Sequence, residues 1–162
     1  MATRQLMIYT YILCRFGQMN KKIEQWIAIY EKKVGKFERD ERFSLFYLPD
    51  KGFCELTATD NMVVIGQVSG DGRFWKKFAE DVAQRLGLKV CGCYCWRDST
   101  HAWARLFGFK VDRVEGRGGL KRYYGTGKNG GWGMMTEAIF DDGKRHCSVT
   151  WEVIPDNEKF SI

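Results

Sequence analysis

Only two prolines occur in 162 residues, no tract is of low complexity and no stretch repeats another. With 44% hydrophobic and 15% aromatic residues, this is the composition of a packed globular protein, and disorder is excluded. A run of about 20 apolar residues is also missing, so no membrane-spanning helix is expected. The apolar stretch at 6–13 follows Arg4 but is short and lacks small residues before a cleavage site. It reads as a first strand, and the chain as a cytoplasmic protein. No linker divides it, and its length suits one domain, 1–162.

Missing too is any C-x-x-C pair, although there are six cysteines. Cys91, Cys93 and Cys95 alternate along an expected strand. Their side chains therefore share one sheet face at spacings of roughly 7 Å, too far for relaxed disulfides. Three thiolates on one strand, with Cys54, Cys147, His101 or His146 as a fourth ligand, also make a poor tetrahedron for zinc. Buried reduced thiols in a reducing compartment, and no metal, are the expectation. The formal charge of +6 suits a polyanionic partner, but equally a coenzyme A pocket, an acidic protein surface or plain solubility.

Taken in order, a helix opens at Met19 or Asn20, buries Ile23, Trp26, Ile27, Tyr30 and Val34, and stops at Gly35. Strands at 43–48 and 53–59 flank the turn Pro49-Asp50-Lys51-Gly52. The stretch 62–109 organises the chain. An apolar run at 62–65 breaks at Gly66, a Gly-containing turn follows, and Phe74, Phe78, Val82 and Leu86 recur at helical steps of four. Gly87 stops that helix, a strand spans 89–96, and a short helix runs from Asp98 or Ser99 to Gly108. Beyond a strand at 110–115, the Gly-rich segment 116–133 reads as a long irregular insertion. Strands at 134–140 and 146–154, joined by a turn at 141–144, close the domain, and a tail begins at Pro155.

Gln67, Gly70 and Gly72 stand at the spacing Q-x-x-G-x-G before a helix, where bare amides can face a pyrophosphate. This pattern, with the Gly-Phe pair in ARLFGFKVDRVE, resembles the GNAT family of acyl-CoA-dependent N-acetyltransferases. More narrowly, SGDGRFWKKF followed by WRDSTH is similar to the acetyltransferase-like internal virion proteins of short-tailed phages. The resemblance implies an α/β (α+β) fold in which helices flank a mixed sheet splayed between two central strands. Acetyl-CoA would lie in the splay as co-substrate, held by Ile65, Gln67, Val68, Ser69, Gly70, Asp71, Gly72 and Arg73, and its acetyl group would pass to an amine on a protein or small molecule.

Acyl transfer needs a base to keep the amine neutral and an acid for the departing thiolate. Glu55 is the candidate base, with Asp60 beside it; His101 and Tyr124, with Tyr123, are the candidate acids. Two features depart from the family pattern. Ala104 stands where many of these enzymes carry a Tyr, and Asp71 brings a carboxylate to the diphosphate, leaving Arg73 to compensate. The other reading is an inactive GNAT-shaped binding protein. In the 116–133 segment Arg117, Lys121, Arg122 and Lys128 alternate with Tyr123, Tyr124 and Trp132, as in surfaces that hold single-stranded nucleic acid; a mobile hairpin over an acceptor site has the same composition. P-loop spacing is missing there.

Overall fold

Residues 21–95, 100–139, 143 and 145–155 are described by the computed structural model. The expected strand at 6–13, most of the turn at 141–144 and the tail from 156 lie outside them. The described residues form three helices and eight strands: α1 (Lys21–Lys33), β1 (Ser44–Leu48), β2 (Gly52–Ala58), β3 (Val63–Gly70), α2 (Gly72–Arg85), β4 (Val90–Cys95), α3 (Thr100–Phe107), β5 (Phe109–Arg117), β6 (Leu120–Gly127), β7 (Trp132–Ile139) and β8 (Arg145–Glu152). All strands join one mixed sheet in the order β1-β2-β3-β4-β8-β7-β6-β5. Only β3 and β4 run parallel, joined by α2 as a crossover helix.

Two cores lie on opposite faces of this sheet. On one, Ile23, Trp26, Ile27 and Tyr30 of α1 pack with Leu45 and Phe53, and Phe37 closes the cluster edge-on to Phe53. Val34, expected in that stripe, is instead exposed, because the helix has already ended at Lys33. On the other face, α2 and α3 cover Cys54, Leu56, Val63, Ile65, Cys91 and Trp151. The deeply buried positions of α2 are Trp75, Ala79 and Ala83, with Phe78 beside them. Leu86, expected to continue the stripe, is the exposed C-cap. Small residues at 79 and 83 let the helix approach the sheet, while Trp75 fills the space at its start. Gly87 and Gly108 end their helices with positive φ, as expected.

Two expectations about glycine need correction. The strand does not break at Gly66 but continues to Gly70. Cys54 pairs with Val68 and Leu56 with Ile65, so Gly66 and Gln67 together face the single residue Glu55 in a bulge. The segment 116–133 is not irregular either, but contains β6 and the turns on either side of it. Its glycines serve close approach. A Cβ at Gly133 would stand 2.6 Å from the Phe109 ring, and one at Gly125 would stand 2.6 Å from the Lys110 carbonyl oxygen. A Gly-rich composition therefore marks a sheet here whose strands and side chains crowd one another.

Candidate functional site

β3 and β4 stay in register for only three pairs, Val63 with Cys91 to Ile65 with Cys93, and each then runs on. The bulge at Gly66 and Gln67 follows the last of these pairs, and it re-aims the side chains that follow. Val68 returns to the α2 core, whereas Gln67 and Ser69 turn to the α1 face, where the Ser69 hydroxyl donates to the Trp26 carbonyl at 3.1 Å.

Glu55 sits opposite the bulge and is 1% exposed. Arg39 Nη1 donates to Oε1 at 2.7 Å and Gln67 Nε2 to Oε2 at 3.1 Å. Arg39 also donates from Nη2 to the Phe43 carbonyl, and Gln67 donates to the carbonyl of Glu38. A charge so deeply buried survives only when its oxygens are satisfied, and here both are. Its field, after burial itself, helps to push the Tyr30 phenol above its ordinary value. The arrangement staples the connection between α1 and β1 to the middle of the sheet. It leaves Glu55 no oxygen turned toward an acceptor amine.

Gly70 is required by the chain's own packing. It has φ +108, and a Cβ on it would lie 2.1 Å from the Lys51 carbonyl oxygen, as one on Gly52 would lie 1.9 Å from that of Ser69. Gly72 is different, since its Cβ would meet only Leu106 Cδ1 at 3.6 Å, an ordinary contact. Between them Asp71 caps α2: Oδ1 accepts from the Phe74 amide at 3.0 Å, and Lys51 Nζ approaches Oδ2 at 3.1 Å. Its own amide donates to the Lys51 carbonyl at 2.9 Å. The Phe74 amide first, then Lys51, hold the Asp71 carboxyl below its ordinary value. The negative group at this helix start is thus supplied by the chain itself.

Of the residues singled out in the sequence, Glu55, Gln67 and the stretch from Ile65 to Arg73 are brought to the bulge and the strand end that follow the last β3–β4 pair. His101 lies in the first turn of α3, and its side chain is outside the described atoms. Ala104 is buried in the α2 core, and no hydroxyl takes the place of the missing Tyr there. Asp60 sits in the turn between β2 and β3, at the opposite end of those strands from α2. Tyr124 is on β6, three strands from β4 and so about 14 Å away. There its hydroxyl meets Glu115 at 3.2 Å and its ring carries the Arg113 guanidinium at 4.2 Å. Tyr123 is buried in the core.

Cys54 and Cys91 are buried thiols, both pushed up by desolvation, Cys91 to about 12. No group of three or more metal-ligating side chains occurs among the described residues. Arg39, Lys51 and Glu137 complete the picture and carried no sequence signal. Glu137, on β7, is a buried carboxylate whose Oε2 accepts no hydrogen bond and lies 3.8 Å from Arg145 Nε.

Compared with protein-family models and with curated protein sequences, the chain matches none. No helix among the described residues is long and apolar enough to cross a membrane.

Proposed function

We propose that this chain is a GNAT-shaped cytoplasmic protein that works by binding a macromolecular partner through its basic β5–β6 hairpin. The architecture is supported by a crossover helix between two parallel strands whose last pair is followed by a bulge. The observation that carries the binding role is the hairpin: every residue from Asp112 to Arg122 is exposed, on both faces of the ladder. Arg117, Lys121 and Arg122 have no carboxylate within ion-pair distance among the described residues, so their charge is available to a partner. The occupied start of α2 points the same way, because a diphosphate would have to displace Asp71.

Differential scanning fluorimetry with acetyl-CoA tests this reading. The melting temperature is expected to stay unchanged at cofactor concentrations well above micromolar; a concentration-dependent rise would overturn it.

A second reading, an acyl-CoA-dependent N-acetyltransferase, is favoured by two observations. Beyond Ile65 one edge of β3 has no partner strand among the described residues, and Gly72 is a glycine that the chain's own packing does not demand. On this reading Asp71 swings away from the Phe74 amide to admit the pyrophosphate of acetyl-CoA. Asp71→Asn, which keeps a capping oxygen and removes the charge, would then raise the acetyl-CoA-induced shift, and incubation with mixed amines would release free coenzyme A.

A further inference from the structure

The helices cover the two ends of this sheet unequally. α1 packs on β2 and β3, on the face opposite α2, but among the described residues no helix covers that face from β4 to β5. We infer that this open face is a docking surface for single-stranded nucleic acid; the inference rests on the binding role proposed above and names the partner.

Register fixes what the face displays. Arg122, Thr136, Ser148 and Tyr94 are successive partners across β6, β7, β8 and β4. Trp132 stands on the same side, since the odd-numbered residues of β7 from Gly133 to Glu137 are the buried ones. Tyr94 is 72% exposed and Trp132 44%, unusual for large aromatic side chains. They are two strands and four residues apart, about 16 Å, with room over the sheet for intervening bases. Between them the floor is formed by Ser148, Thr150, Thr136 and Met134, and beside Trp132 stands Glu152, which accepts from the Trp132 amide at 3.2 Å. With three hydroxyls to one methionine, such a floor is poor in the large apolar side chains that centre a protein–protein contact. Bases laid on a flat sheet are held by stacking on exposed aromatic rings.

Charge and shape narrow the partner. Between Lys110 and Lys128 the chain has six basic residues against two acidic ones, and by register Lys110, Arg113, Arg117 and Arg122 lie on the open face, where a strand leaving the stacking floor would present its phosphates, while Lys121, opposite Glu137, lies on the other. The two acids are already engaged, Glu115 with Arg113 and Tyr124, and Asp112 with the Thr126 hydroxyl. The five strands span about 19 Å, wider than the roughly 12 Å major groove of duplex DNA, so a double helix cannot seat its base edges on them. An unpaired strand can.

The test is a fluorescence-anisotropy titration of the full chain with a labelled 20-nucleotide oligothymidine at two salt concentrations. A duplex of equal length and heparin serve as comparators. Saturable, salt-sensitive binding that prefers the single strand is expected, weakened at least about fivefold by Tyr94→Ala and again by Trp132→Ala. Tyr94→Phe should bind like wild type, because the stacking ring is retained. Unchanged circular dichroism melts guard against misfolding of these surface variants. If heparin and duplex bind as well as the oligonucleotide, and the aromatic variants bind unchanged, the stacking surface is overturned while the basic hairpin stands. If no polyanion binds, nucleic acid is excluded as the partner, and an acetyl-CoA-induced shift in the same preparation would remove the binding role as well.

Discussion

The two ends of the sheet solve different problems. At β1, β2 and β3 both faces are covered, one by α1 and the other by α2, and a carboxylate in the middle is fully paired. From β8 to β5 no helix among the described residues covers one face, the hairpin from Asp112 to Arg122 is exposed, and a buried carboxylate keeps one oxygen without a hydrogen bond. A sheet buried on both faces must satisfy every polar group it encloses, and it gains in rigidity. A sheet buried on one face keeps a surface to present. The difference places the better-braced packing at the first end and leaves at the second the surface proposed above for binding.

The sharpest way to break this comparison is through the aromatic residues. Trp75, which is 1% exposed, is expected to cost about 3–5 kcal/mol when replaced by Ala, whereas Trp132→Ala should stay within about 0.5 kcal/mol of wild type in urea denaturation. Equal losses would mean that the second end is as closed as the first. Next is Arg39→Ala, which strands the Glu55 charge; since Arg39 is 41% exposed, the loss should fall toward the low end of about 3–5 kcal/mol. Adding Glu55→Leu should recover much of it, and a double variant as weak as the single would refute the pairing argument. Glu137→Gln should leave the midpoint unchanged or raise it, because the charge removed is buried and incompletely satisfied.

The smallest effect concerns acid. The folded-state pKa of Asp71 is lowered from 3.8, so its contribution is full at pH above that value and fades as pH falls through the lower folded value. Asp71→Asn should flatten the acid limb of a plot of melting temperature against pH, lying slightly below wild type at neutral pH and meeting it in acid.

Local patterns in the sequence located most elements to within a residue or two. The four-residue steps placed α2, and Gly87 and Gly108 marked helix ends through their positive φ. Where reading failed, glycine had a second use. Gly66 looked like the end of a strand and Gly70 like part of a phosphate turn, yet the first lies in a bulge within the strand and the second where two backbones cross. Gly125 and Gly133 looked like loop residues, yet they make way for Lys110 and Phe109. The candidate site was half legible. Glu55 and Gln67 were both named, but the other partner of the Glu55 carboxylate is Arg39, 16 residues before it in an unremarkable charged run. Such pairings are set by the register of distant strands, which no local period encodes.

Among the described residues strand β5 has one neighbour, β6, so its outer backbone edge is a template onto which the same strand of another copy could add. Lys110, Arg113 and Arg117 repel that approach. Neutralising them to weaken a partner would therefore also remove a guard against self-assembly, and a variant lost to precipitation would say more about the rim than about the ligand.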